Sequence, residues 1–354
     1  MIEVTWNGNS LTRDLTVYLE NQVKINLSSS GLGLSLFLGI GAVYVCYYLS
    51  TVAKKPQLIT GSATLSEFLR RYCPVVTETY YPTFWCWESR VQTLLRPLIT
   101  TKPWVEYRNE LIKAADDGHI SLDWNNNDDN TLYPVSATRP TILILPGLTG
   151  TSKESYVLHM VKQSERLGYR CVVFNNRGVA GERLLTPRTY CAANTEDLET
   201  VILHIRNAFP EAPLVAAGVS MGGHRQILNK LFNIDYIMKA KTVREFDERF
   251  TSVMFGYKTN VDYYRDASPS HKLKSIEVPV LCLNALDDVF SPAYAIPMQS
   301  AKQNPNVALL LTAHGGHIGF LEGIFPRRMT YTDRIFKQFI QAVVEHKDEL
   351  NITH

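Results

Sequence analysis

Leu214-Val215-Ala216-Ala217-Gly218-Val219-Ser220-Met221-Gly222-Gly223 is the stretch on which the fold turns. Residues 214 to 219 are small or apolar and read as a buried strand. They run into Gly218-Val219-Ser220-Met221-Gly222, a G-x-S-x-G pattern. At a strand end this pattern makes a tight strand-to-helix turn, with glycine on either side of the serine. The turn lifts the serine Oγ above the sheet and aims the following backbone N–H at an oxyanion. Ser220 is thus the candidate nucleophile and Met221 the candidate first oxyanion donor. The competing reading, a glycine-rich strand end with no activity, is weakened by the strand that precedes it.

A serine hydroxyl needs an imidazole base, itself oriented by a carboxylate. Where serine sits on such a turn, the acid and then the histidine follow in chain order. Leu281-Cys282-Leu283-Asn284-Ala285-Leu286-Asp287-Asp288 puts two carboxylates just past a strand. Asp287 is favoured as the orienter because it comes first; Asp288 is the alternative. Leu309-Leu310-Leu311-Thr312-Ala313-His314-Gly315-Gly316-His317 does the same for two histidines. His317, after two glycines that let the loop curl back, is favoured as the base over His314. Pro146-Gly147-Leu148-Thr149-Gly150 follows another apolar strand, and Leu148 is expected to give the second oxyanion N–H.

The surrounding pattern is that of an α/β protein. Strands are expected at 107–113, 119–124, 141–145, 171–175, 214–219, 278–284 and 308–312, with a turn at Asp116-Asp117-Gly118. Helices are expected at about 156–167, 195–208 and 331–347. Alternation of this kind gives a mainly parallel sheet with helices on both faces.

Composition excludes several classes. The 354 residues carry 36 Lys+Arg against 34 Asp+Glu, a net charge of +2, which gives no electrostatic case for nucleic acid. Six cysteines without a C-x-x-C spacing argue against a zinc ribbon, a redox motif or a disulfide framework. Neither a metal constellation nor a glycine-rich dinucleotide loop is present, so no cofactor and no metal are expected.

Residues 25 to 53 contain Lys24 only as a flank and no charge within. The core of that run, residues 31–49, would span roughly 28 Å as a helix, close to the hydrocarbon thickness of a bilayer. Tyr44, Tyr47 and Tyr48 gather at one end, followed by Lys54-Lys55. This predicts a single-pass anchor, a membrane bilayer as partner, and the division 1–30 tail, 31–49 transmembrane anchor, 50–104 connector, 105–347 catalytic domain and 348–354 tail. Flanking charges (Arg13 and Lys24 before, Lys54 and Lys55 after) balance, so the positive-inside rule favours neither orientation. The connector is rich in Pro and aromatics and lacks a clean period. It is expected to pack on the catalytic domain or lie near the membrane, the first being favoured.

Taken together, P-G-L-T-G at 146–150, F-N-N-R-G at 174–178, L-T-P-R-T-Y at 185–190, G-V-S-M-G-G at 218–223, N-A-L-D-D at 284–288 and G-G-H-I-G-F at 315–320 resemble the AB-hydrolase-4 family of α/β-hydrolases. The resemblance implies an α/β-hydrolase fold and places the family's triad on Ser220, Asp287 and His317. With an N-terminal anchor, the chain is similar to membrane-anchored members that act on phosphatidylcholines with medium-length or truncated acyl chains. The implied substrate is a phospholipid and the implied chemistry an acyl-enzyme on Ser220, with no cofactor. The same family also implies a medium-chain acyltransferase or ester synthase as an alternative. A membrane-tethered inactive pseudo-hydrolase is the non-enzyme reading.

Behind the serine the resemblance breaks. The family continues with an apolar helix, a further strand and a helical cap; here Gly223 is followed by His224-Arg225-Gln226-Ile227-Leu228-Asn229-Lys230. Between Gly223 and Val278 no β-branched run is found, so one central strand and part of the cap are expected to be missing. Its neighbours must then leave a gap, exposing backbone groups, or pair directly, which shifts acid and base by roughly 4.8 Å. Lower activity and a less stable domain are the expected consequences.

Overall fold

The computed structural model describes residues 16–17, 20, 32–147, 149–193, 195–220, 240–268 and 272–350, and the chain divides into two units, Met1–Lys54 and Lys55–His354. In the first unit, α1 (Leu32–Tyr47) continues as a wider π-type turn through Tyr48–Val52. Phe37, Ile40 and Val43 stand exposed on it. Its stretch Ser35–Val52 has a mean hydropathy of 1.6, so it is long and apolar enough to cross a membrane.

Among its described residues the second unit carries eight strands: β1 (Gln57–Ile59), β2 (Arg108–Lys113), β3 (His119–Asn125), β4 (Thr141–Leu145), β5 (Arg170–Asn175), β6 (Leu214–Gly218), β7 (Val280–Ala285) and β8 (Val307–Thr312). Among the described residues they form two sheets, in the orders β2-β3-β5-β4-β6 and β1-β8-β7. In the first, β4 pairs in parallel with β5 and β6, while β3 pairs antiparallel with β2 and β5. In the second, β8 pairs in parallel with β7 and antiparallel with β1.

Among the described residues β6 and β7 do not pair with each other, and the strand expected to be missing would fall where residues 221–239 lie outside the described residues. The expectation that residues 214–219 form a buried strand is corrected by the exposure of β6. Ala216 and Gly218 are exposed, and most of β7 is only half-buried, whereas β5 and β8 are buried throughout.

Helices hold the two sheets in one unit. On one face of the larger sheet, α5 (Glu196–Ala208) packs Val201 and Ile205 against Leu143, Val172 and Phe174. On the other, α4 (Ser155–Arg166) packs Val157, Met160 and Val161 against Ile142, Ile144 and Val173. The closing helix α7 (Tyr331–His346) spans both sheets. Its Phe336 and Ile340 join the α4 cluster, and its Tyr331 and Ile335 join a second cluster with Ala308 and Leu310 of β8. A capping box fixes its start, Thr330 accepting from the Asp333 N–H while Asp333 accepts from the Thr330 N–H. Of the shorter helices, α6 (Asn260–Ala267) falls in the segment between β6 and β7.

The connector packs on this unit. Its helix α2 (Ala63–Tyr72) buries Leu65, Phe68 and Leu69 in the β8–α7 cluster, and β1 extends the smaller sheet. Each such fully buried side chain contributes about 1.5–3 kcal/mol. The second connector helix, α3 (Ser89–Ile99), is amphipathic in an unusual sense. Its inward face is Ser89, Gln92 and Arg96, all buried, while Leu94 and Leu98 face outward.

Candidate active site

Ser220 follows β6 and is exposed, with φ +35°, the left-handed region that costs a non-glycine residue energy. This is the strained serine that a tight strand-to-helix turn produces. The crowding lies elsewhere than at the preceding glycine. A Cβ on Gly218 would come no nearer than 3.8 Å to a neighbour, whereas one on Gly147 would meet Val219 O at 3.0 Å and Ser220 Cβ at 3.3 Å. The loop after β4 thus packs directly against the nucleophile, and it is Gly147 that permits the approach.

Ser220 Oγ lies 2.7 Å from His317 Nε2. On the other side of the ring, His317 Nδ1 lies 3.0 Å from Asp288 Oδ2. A carboxylate only accepts, so Nδ1 carries the proton and Nε2 presents its lone pair to the serine O–H. Ser220 after β6 and His317 after β8 are thus in contact although, among the described residues, their sheets do not pair.

The carboxylate against His317 is Asp288, in place of the sequence-favoured Asp287. The reason lies in the turn after β7. Asp288 Oδ1 accepts from the N–H groups of Phe290 and Ser291 at 2.7 and 3.1 Å, which turns Oδ2 toward the imidazole. Asp287 is spent on the histidine loop itself: Oδ1 accepts from Gly316 N at 2.9 Å, and Oδ2 lies 3.1 Å from His314 Nδ1. His314 stacks edge-on to Trp87 at 5.2 Å, so the second pair braces the loop. Asp288 is also the better shielded, its side chain 7% exposed against 22% for Asp287. Phe290 covers one edge of the His317 ring at 4.9 Å.

The two glycines before His317 serve close approach more than freedom. Gly316 has φ +59°, and a Cβ there would sit 2.3 Å from Ser89 O of α3. Helix α3 grips the loop further: His317 N donates to Thr93 Oγ1 at 2.9 Å and Leu321 N to Gln92 Oε1 at 2.8 Å. At its other end α3 reaches the serine side, where the Arg96 guanidinium lies 5.5 Å from the Tyr156 ring centre. Tyr156 Oη in turn accepts from Gly147 N at 2.8 Å. Thr93, Gln92, Arg96 and Tyr156 were not marked by the sequence, since none belongs to a motif.

The expected oxyanion donors Leu148 and Met221 lie outside the described residues. In the described part of the loop, Thr149 N donates to Tyr190 Oη at 3.3 Å, and burial pushes the Tyr156 and Tyr190 phenols up, so both stay protonated. Among the described residues no three His, Cys, Asp or Glu gather as a metal site.

A sequence-family profile described as the alpha/beta hydrolase fold matches residues 140–224. The phospholipase ABHD3 of Homo sapiens is 58% identical over 399 aligned positions, covering 96% of this chain and 98% of that one. That of Bos taurus is 57% identical, covering 96% and 97%. The 399 positions exceed the 354 residues here, so an internal part of those relatives has no counterpart in this chain. Among solved structures, the esterase Pf2001 of Pyrococcus furiosus is similar, with a TM-score of 0.44, 17% identity, and coverage of 67% of this chain and 93% of that one. By the identity and coverage of its curated relatives, the chain belongs to the α/β-hydrolase family.

Proposed function

We propose that the chain is a membrane-anchored serine hydrolase that cleaves acyl esters of phospholipids, with Ser220 as nucleophile, His317 as general base and Asp288 as orienting carboxylate. The observation that carries the reading is the linked pair of contacts Ser220 Oγ–His317 Nε2 at 2.7 Å and His317 Nδ1–Asp288 Oδ2 at 3.0 Å. As Ser220 Oγ attacks the ester carbonyl, its proton passes to His317 Nε2, and Asp288 stabilises the imidazolium. His317 then returns the proton to the departing lysophospholipid oxygen. Water, deprotonated by the same nitrogen, releases the fatty acid from the acyl-enzyme.

The lipid substrate rests on the similarity to the ABHD3 phospholipases and on α1, read as a single-pass anchor. Held at a bilayer, the enzyme lifts an acyl chain only a short way, and each CH₂ it buries returns about 0.8 kcal/mol. Medium-length or truncated chains are the expected preference.

Full-length protein in detergent–lipid micelles is expected to release free fatty acid from a medium-chain phosphatidylcholine, and Ser220→Ala to release none above background. Addition of ethanol separates hydrolysis from acyl transfer: fatty acid remains the main product under the hydrolase reading. Predominant ethyl ester would assign the transferase chemistry instead, and identical rates for wild type and Ser220→Ala would overturn both.

A further inference from the structure

The outward face of α3 is apolar and uncovered. Leu94 and Leu98, one turn apart, are 70% and 78% exposed, and Phe325 is 80% exposed. Leu98, Trp85, Phe325 and Pro326 line one shallow cleft of about 270 Å³. Trp85 Nε1 donates to Ile324 O at 2.8 Å, which ties the aromatic stretch of the connector to the turn after the histidine loop. Soluble proteins rarely expose this many large apolar side chains together unless something covers them. A tryptophan at half exposure with its N–H occupied suits the boundary between headgroups and acyl chains.

Charge says what the cover is. Arg327 lines the cleft, Arg328 follows it, and Thr101 N donates to Arg327 O, which sets Lys102 alongside. Arg90 stands one turn before Leu94 on the same helix face. Arg90, Lys102, Arg327 and Arg328 are all exposed. Apolar side chains ringed by cations match a bilayer with anionic headgroups, where each surface cation contributes about 1 kcal/mol. The bilayer itself is supplied by the reading of α1 as an anchor.

We propose that the outward face of α3, with Trp85 and the Ile324–Phe325 turn, is a second membrane-contacting surface that seats the catalytic unit in an anionic bilayer. This rests on the anchor reading given under the proposed function. The inward face of the same helix holds the His317 loop through Thr93 and Gln92. Phospholipid then reaches Ser220 from the layer in which the enzyme rests.

Site-directed spin labelling of the full chain in phosphatidylcholine–phosphatidylserine vesicles tests this. A Cys46→Ala background removes the exposed thiol, and burial holds Cys73 and Cys171 at about 12, too high to react. Labels at Leu98→Cys and Phe325→Cys are expected to favour collisions with oxygen over a water-soluble nickel complex by at least about fivefold relative to a label at exposed Leu132→Cys, because oxygen concentrates in the acyl layer. Protein that floats with the vesicles but shows water-like labels at all three positions overturns the docking surface alone. Protein that does not float overturns the anchor as well. Labels immobilised yet reached by neither reagent indicate a second copy on this face and also overturn the proposal.

Discussion

Asp288→Asn is expected to lower kcat/KM on a soluble short-chain ester by about 10⁴-fold, and Asp287→Asn by no more than about tenfold. The asparagine keeps the volume of the carboxylate but removes the charge that stabilises the imidazolium. It also offers an N–H where His317 Nδ1 needs an acceptor, which favours the wrong tautomer. Asp287 does not touch His317; its carboxylate holds Gly316 N and His314. Its loss loosens the loop but leaves the proton path Ser220–His317–Asp288 in place. Steady-state kinetics of the two variants decide the matter. Equal losses, or a larger loss for Asp287→Asn, would return the orienting role to Asp287.

The second large effect is on stability. The Arg177 side chain is 2% exposed and reaches two carboxylates from different elements. It donates twice to Asp116 in the β2–β3 turn, at 2.7 Å to each oxygen, and pairs with Asp197 in the first turn of α5. Arg177→Met leaves Asp197, itself buried, without its cation, at a cost of about 3–5 kcal/mol, or about 10 °C in Tm for a unit of this size. The effect has a pH signature. Hydrogen bonds from Arg177 hold the Asp116 carboxyl at about 2, below its ordinary 3.8. A depressed carboxylate stabilises fully above its unfolded value and loses that contribution as pH falls through its folded one. The Tm difference between wild type and variant should therefore narrow between about pH 4 and pH 2. A shift of under about 2 °C at neutral pH would contradict a structural role for this network.

Much of the scaffold was legible because its signals are local. Thr141–Leu145 is a continuous apolar run and forms β4 with those bounds, and the Asp116-Asp117-Gly118 turn joins β2 to β3. Ser220 was marked by its fixed pattern, and the structure brings its hydroxyl against His317, whereas the strand expected to be missing falls where residues 221–239 lie outside the described residues. The choice between two adjacent aspartates was not. It is set by the amides of Phe290 and Ser291, whose directions depend on the turn that follows. Helix α3 escaped the reading for a different reason: it inverts the usual rule. Ser89, Gln92 and Arg96 are its buried side, where Gln92 is hydrogen-bonded and Arg96 faces the Tyr156 ring, and Leu94 and Leu98 its exposed side. A search for an apolar inward stripe finds none.

The same helix bears on how the proposed triad is held together. No strand connects β6 to β7 among the described residues, yet α3 touches Tyr156 at one end and the His317 loop at the other, and α7 packs on both sheets. Side-chain packing thus links the two sheets where, among the described residues, no backbone pairing does. The exposure of Ala216 and Gly218 in β6 and the half-burial of β7 lower what these strands contribute to the core.

Covalent labelling by a fluorophosphonate probe, followed by intact mass and site mapping, tests this assembly most directly, because the probe reacts only with a serine whose base is in contact. One equivalent on Ser220, absent in Ser220→Ala and slowed by orders of magnitude in His317→Ala, is the predicted result. A full-length chain that binds no probe, or that is labelled equally well without His317, would contradict it.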